Sequence, residues 1–196
     1  MVDYVLPALA VFSAAASITP GPNNIMLMAS GANFGFLRSA PHLCGVSAGV
    51  FTITSLIGLG LMPVFDALPV LQTVLRVVAA IYLLWLACKI AFAVPPEATA
   101  KAASPLTFFQ SAAFQGVNPK IWATGSSVVT LFAGDRLFTS ILLVAIAFAL
   151  IGLVSNAIWA GMGTALRNRL SGPRLRAFNI AMALLLVASI YPMLFR

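Results

Sequence analysis

Two short polar stretches, "TPGPNN" at residues 19–24 and "GVNPK" at 116–120, interrupt apolar segments of the chain. Proline lacks an N–H and clashes with the carbonyl group four residues earlier, so each stretch predicts a broken helix. The breaks would release the carbonyls of Ala16, Ile18 and Gln115, and each following half-helix would begin with free N–H groups. A zwitterion needs both, because its carboxylate takes donors and its ammonium takes carbonyls. We therefore predict a polar site at the two breaks.

The residue types at the breaks suit this chemistry, since asparagine amides donate and accept and a lysine adds a positive charge. The predicted substrate-binding residues are Pro20, Gly21, Pro22, Asn23, Asn24, Asn118, Pro119 and Lys120. The alternative is a pair of proline kinks whose polar groups only satisfy one another.

Lys120 has several possible roles, because a lysine near the bilayer centre costs at least ~2.5 kcal/mol to insert. It could bind a substrate carboxylate, or it could cap carbonyl groups in a packed interior. A buried lysine can also release its proton, so Lys120 is a candidate for proton coupling. His42, the only histidine, is the second candidate, with a solvated or interfacial role as its alternative.

The composition places these stretches in a membrane. The 196-residue chain is 61% hydrophobic and 8% charged, with a mean hydropathy of +1.04. A soluble domain needs more charge than that, and apolar stretches of roughly 20 residues recur along the chain. We predict an all-α polytopic membrane protein whose first apolar segment is a span rather than a cleaved signal, because no basic region precedes it. The six predicted transmembrane helices lie at about 5–33, 42–62, 70–93, 106–132, 137–162 and 177–195.

The polar stretch "VPPEATAKAASP" at 94–105 divides these spans into two groups of three. An odd number of spans per half forces the halves to lie antiparallel, which predicts a 3+3 inverted repeat. The halves are 1–93 and 106–196 of one transporter domain, residues 1–196, and broken helices 1 and 4 open them.

The basic residues predict which way the chain crosses the membrane. Of the eleven Lys and Arg residues, seven fall on one side of the predicted spans, three on the other, and Lys120 on neither. Since Lys and Arg collect in the cytoplasm, both termini are predicted to be periplasmic and the linker 94–105 cytoplasmic. The net charge of +7 is thus attributed to topology and not to nucleic-acid binding.

Other chemistry finds little support in the chain. Cys44 and Cys88 form no Cys-x-x-Cys motif, and the spans hold almost no carboxylate, histidine or thiol ligands. We expect no metal site and no cofactor. A divalent-cation exporter, a membrane thiol or electron relay, and a scaffold without transport are the alternatives to a carrier of small molecules.

Three smaller features concern packing. The Gly-x-x-x-Gly stretch "GVSAG" at 45–49 allows close helix contact, within one chain or in a homodimer, so the oligomeric state stays open. Asn156 is interpreted as an interhelical hydrogen-bonding residue, with lining of the path as the alternative. Trp122, two residues after Lys120, is a candidate wall of the site.

These stretches resemble the lysine/threonine exporter (LysE/RhtB) family of bacterial inner-membrane transporters. The likeness rests on "TPGPNN", "ANFGFLRSA" and "FQGVNPK", and it covers essentially the whole chain in length, span count and motif order. "PGPNNI", "AAIYLLWLACKIA" and "NIAMALLLVAS" are most similar to the cysteine/O-acetylserine exporter branch, whereas Asn-Pro-Lys in the fourth span follows the wider family. The resemblance implies proton-driven efflux of amino acids or close derivatives, with an amino-acid substrate and the lipid bilayer as partners.

Overall fold

The fold is all-helical in residues 2–93, 104–134 and 137–191, which are the residues that the computed structural model describes. The helices are α1 (Val2–Ile18), α2 (Pro22–Phe34), α3 (Phe36–Leu56), α4 (Met62–Ala67), α5 (Pro69–Ala91), α6 (Phe108–Gln115), α7 (Pro119–Phe132), α8 (Phe138–Arg167) and α9 (Pro173–Ala188). A π-helical turn, Ile57–Leu61, joins α3 to α4. Apart from residues 104 and 105, the predicted linker 94–105 lies outside the described residues.

Both predicted breaks are present, and proline begins the helix after each. The chain bends by 63° between α1 and α2, and Pro22 is the first residue of α2. Between α6 and α7, the side chain of Asn118 caps the new helix and Pro119 opens it. Proline suits this position because its missing N–H would have had no helical partner there.

Three of the described helical segments are long and apolar enough to cross a membrane: Phe36–Leu61, Val70–Ala91 and Phe138–Arg167. The bent pair Val5–Ile18 and Pro22–Phe34 makes a fourth if it forms one span. The protein is therefore a polytopic membrane protein. The region of the predicted fourth span is divided between the short α6 and α7, and α9 has 16 residues, so a total of six spans stays a prediction.

The backbones of α2 and α8 touch through two glycines. A Cβ atom at Gly163 would overlap the carbonyl oxygen of Met28 and lie 2.9 Å from the nitrogen of Ala32. A Cβ atom at Gly31 would overlap the carbonyl oxygen of Ala160 in the same way. We call this reciprocal contact the α2–α8 glycine seam.

A second seam holds α6 against α3. A Cβ atom at Gly45 would overlap the carbonyl oxygen of Phe108, and one at Gly49 would lie 2.6 Å from that of Ala112. The "GVSAG" stretch thus packs within the chain, on the half-helix that leads to the second break. We call this contact the α3–α6 glycine seam.

Several helix pairings recur when the two halves are exchanged. Helix α8 packs on both parts of the first broken segment, α1 and α2, while α3 packs on both parts of the second, α6 and α7. Helices α5 and α9 pack on each other, as do α3 and α8. An inverted repeat requires such a pattern, which supports the prediction without testing the antiparallel orientation.

The α2–α8 glycine seam predicts a position-specific loss of stability. Gly163→Ala should lower the free energy of unfolding by about 1–3 kcal/mol, because the added methyl group meets backbone atoms that cannot rotate away. Gly161→Ala is the matched control, since no atom lies within 4 Å of a Cβ there. The measurement is the thermal unfolding midpoint in detergent. Equal midpoints for the two variants would contradict direct backbone contact.

Candidate functional site

Asn24, on the helix after the first break, provides hydrogen bonds to the carbonyl groups before it. It lies in the first turn of α2, and its Nδ2 atom donates to the carbonyl oxygens of Ser17 at 2.9 Å and Thr19 at 3.1 Å. The carbonyl oxygen of Ile18, predicted to be released, lies 3.5 Å from the same atom. One amide thus serves the carbonyl groups that end α1, which in a bilayer would otherwise lack partners.

Lys120 joins the second break to the first. Its Nζ atom donates to the carbonyl oxygen of Thr19, so the structure shows the carbonyl-capping arrangement. The side chain crosses Gly21, where a Cβ atom would lie 3.0 Å from Cδ and 3.3 Å from Nζ of the lysine. Gly21 therefore leaves room for the ammonium group. An ammonium has three donors, and this half-buried one keeps two for other partners.

A network of amides, which sequence reasoning missed, links the breaks through Gln115. Asn23 and Gln115 exchange two hydrogen bonds of 2.9 Å and 3.1 Å, and Asn118 donates to Gln115 at 3.1 Å. Gln115 also donates to the carbonyl oxygen of Ser111 at 2.9 Å, and all three amide side chains are buried. Asn23 and Asn118 therefore hold the breaks together. The available signal was a glutamine within an apolar segment, directly before the second break.

A cavity lies between the breaks, α3 and α8. Its polar side is formed by Ser17, Asn24, Lys120, Thr124 and Asn156. Asn156 is buried and makes no side-chain hydrogen bond within the described ranges. The interpretation of Asn156 as an interhelical hydrogen-bonding residue was wrong, and the alternative of lining the path fits the structure.

The wall of the cavity also includes the apolar residues Val50, Ile121, Phe148 and Gly152. Trp122 is not part of this wall, because its indole turns away and donates to the carbonyl oxygen of Gly116 at 2.9 Å. An amphipathic cavity of this kind suits a small molecule with a charged head and a short side chain.

The predicted site residues divide into two groups. Gly21, Asn23, Asn24, Asn118 and Lys120 line the cavity. Pro20, Pro22 and Pro119 do not line it, and they shape the chain around it by ending or starting a helix. His42 is not brought to the breaks. It lies in α3, 1% exposed, beside a different cavity, so a solvated role is wrong for it.

Metal and thiol chemistry gain no support from the described part of the chain. No three His, Cys, Asp or Glu residues there are placed to hold a metal ion. Cys44 on α3 and Cys88 on α5 are both free and exposed.

The LysE type translocator family matches residues 14–189, a range that contains both breaks and the cavity between them. The chain belongs to this family. Within it, the chain is 34% identical over 192 residues to the "Cysteine/O-acetylserine efflux protein" of Escherichia coli (strain K12), and likewise to that of Shigella flexneri serotype 5b (strain 8401). The alignments cover 95% of this translocator and 96% of each relative. No solved structure matches it.

The amide network of this LysE type translocator predicts the effect of Gln115→Met. The substitution keeps the side-chain length and leaves the amides of Asn23 and Asn118 buried without their partner, which should cost about 1–3 kcal/mol. Ser127→Ala is the control, because Ser127 is exposed on α7 and its hydroxyl contacts only its own helix, at Ala123. Thermal unfolding in detergent measures both. A Gln115→Met protein as stable as the control would contradict a structural role for the network.

Proposed function

We propose that this chain is a secondary transporter that exports small amino acids or close derivatives across the bacterial inner membrane. Membership of the LysE type translocator family and the relatives named as efflux proteins support this function. The observation that carries it is the position of the Lys120 ammonium group, which faces a cavity between two broken helices beside the start of α2.

The substrate carboxylate would bind at the positive side of this cavity. Asn23, Asn24 and Lys120 line the cavity and would supply the donors. The backbone N–H groups of Asn23 and Asn24 have no helical partner, because the first helical hydrogen bond of α2 begins only at Ile25. The partial positive charge at a helix start adds to the attraction. A carboxylate would thus pull the ammonium group away from the carbonyl oxygen of Thr19.

The substrate ammonium would face the side-chain oxygens of Asn156, Ser17 and Thr124, which line the same cavity. Its side chain would rest on the apolar wall that includes Val50 and Phe148. The names of the relatives, together with this short wall, favour cysteine and O-acetylserine as substrates.

Lys120 is also our candidate for coupling transport to the proton gradient. A substrate carboxylate and the Thr19 carbonyl oxygen compete for its ammonium group, so binding would weaken the bond between the two breaks. Loss of the proton would weaken both interactions and favour substrate release. His42 is the second candidate, although it lies outside this cavity.

The orientation proposed for the chain follows the distribution of Lys and Arg. Both termini would lie in the periplasm and the linker 94–105 in the cytoplasm, with 1–93 and 106–196 as antiparallel halves. Two of the alternative functions have weaker support. A divalent cation would meet the positive charge of Lys120, and a thiol relay would have to work through Cys44 and Cys88, both exposed.

The proposed function predicts a selective loss of affinity in Lys120→Met. Removal of the charge should weaken substrate binding by about 1.5–3 kcal/mol, the scale of a hydrogen bond to a charged group. Lys120→Arg should rescue poorly, because the planar guanidinium group needs more room above Gly21. The assay is uptake of radiolabelled O-acetylserine and cysteine into inverted membrane vesicles, with protein abundance measured in parallel.

Arg76→Met, at the opposite end of α5 from Lys89, is the control for the loss of one exposed positive charge. If Lys120→Met keeps the wild-type affinity for the amino acids and the vesicles take up divalent cations, the amino-acid exporter proposal fails. If Lys120→Met keeps both its affinity for the amino acids and the pH dependence of their uptake, the only role of Lys120 is to cap the carbonyl group of Thr19.

The proposed orientation predicts which positions react with a membrane-impermeant maleimide. Cys44 and Cys88 are first replaced by serine, and Ala98→Cys or Arg196→Cys is then introduced singly. In intact cells Arg196→Cys should react and Ala98→Cys should not, whereas inverted vesicles should give the opposite result. Reaction of Ala98→Cys in intact cells would reverse the orientation.

A further inference from the structure

A second cavity lies between α2, α3, α5 and residues 104–106, apart from the breaks. None of its lining residues lines the cavity at the breaks. Most of its wall is apolar, including Met26, Leu86 and Ile90. The polar side chains in the wall are Ser30, Asn33, His42, Lys89 and Ser104.

His42 is the unsatisfied group in this wall. It is 1% exposed, and neither ring nitrogen has a hydrogen-bond partner among the described residues. Two of its polar neighbours are satisfied, because Ser30 pairs with Ser39 at 2.7 Å and Asn33 pairs with Asn179 at 2.7 Å and 3.0 Å. Buried polar groups in proteins are normally paired with protein or water. A bound polar molecule would complete the imidazole.

The charges around this cavity favour an anionic group. Lys89 lines the cavity, with its ammonium group 4.8 Å from the ring centroid of Trp85. Arg38 lies 5.8 Å from the ring centroid of Phe34, another lining residue. Among the described lining residues there is no Asp or Glu. Cations without a neighbouring carboxylate concentrate anions at a cavity.

We propose that this cavity is an inner site in which the amino-acid substrate binds before it reaches the breaks. Lys89 binds the carboxylate, His42 and Ser30 accept from the ammonium, and the substrate side chain lies on Met26 and Leu86. The assignment rests on the proposed function and on the proposed orientation, which places this end of α5 toward the cytoplasm.

Helix α2 joins the two sites. Asn24 in its first turn lines the cavity at the breaks, and Ser30, six residues later, lines the inner site. At 1.5 Å per residue these positions are about 10 Å apart along the helix axis. A substrate moving outward would pass along α2 from one group of polar side chains to the next.

The experiment uses the full chain in detergent, with isotope-labelled histidine and O-acetylserine as the probe. Because His42 is the only histidine, its ring gives the only imidazole NMR signals. We expect these signals to move on addition of the probe, with the same midpoint in wild type and in Lys120→Met. Equilibrium dialysis with radiolabelled probe should count two molecules per wild-type chain and one in Lys120→Met.

Lys89→Met tests the inner site without altering the breaks. The affinity of the inner site for O-acetylserine should fall on the order of tenfold or more in this variant, since a hydrogen bond to a charged group is lost. Dialysis should then count one molecule per chain, and the His42 signals should stay unmoved when the site at the breaks is saturated. Arg76→Met, the control on the same helix, should keep two molecules. This pair decides the question even if Lys120→Met cannot be purified.

The other outcomes separate the two proposals. The wild-type chain could bind only one molecule, which is lost in Lys120→Met, while the His42 signals do not move. That result would remove the inner site and leave the proposed function standing. No binding by the wild-type chain would reject the proposed function itself. If the His42 signals move with phosphatidylglycerol in nanodiscs but not with O-acetylserine, the inner site does not bind the substrate. That result would indicate a lipid site.

Discussion

Every backbone group that a proline releases inside a bilayer must find a partner within the protein, and the centre of this structure depends on that constraint. The partners come from across the breaks. Asn24 reaches back over the first break to the carbonyl groups that end α1, and Lys120 reaches the same end from the second. The second break thus helps to satisfy the first, because Lys120 donates to a carbonyl group at the end of α1.

The same arrangement explains how a structural feature can serve transport. A hydrogen bond between two breaks stabilises the fold while the cavity is empty, and the same ammonium group is the strongest attraction for a carboxylate. In the proposed function, a substrate would therefore compete with the carbonyl oxygen of Thr19. Competition of this kind changes the contacts of the protein on binding, which a preformed rigid site would not do.

The sequence alone predicted the breaks and five of the residues that line the cavity between them. Proline has the same effect on any helix, so Pro22 and Pro119 could be placed at helix starts without a fold. Gln115 could not be found in this way. Its role depends on the α3–α6 glycine seam, which sets the position of α6, and a contact over 92 residues has no local signal. The burial of His42 could not be predicted either, because it depends on the helices that pack on α3.

The number of membrane spans shows a second limit of prediction from the sequence. Hydropathy alone predicted six spans. A hydropathy average runs through a break, so it does not show where one helix ends and the next begins. Helices α6 and α7 share one apolar segment, yet neither is long enough to cross the bilayer by itself.

The two glycine seams have a mechanical consequence. Each seam crosses the boundary between the halves of the chain, since α2 touches α8 and α6 touches α3. Backbones in direct contact cannot slide without separating, so the two halves of the chain are not two independent rigid bodies. A motion that preserves both seams must carry α2 with α8 and α3 with α6. Those two bodies meet where α3 packs on α8 and α2, and at the reciprocal amide pair of Asn23 and Gln115.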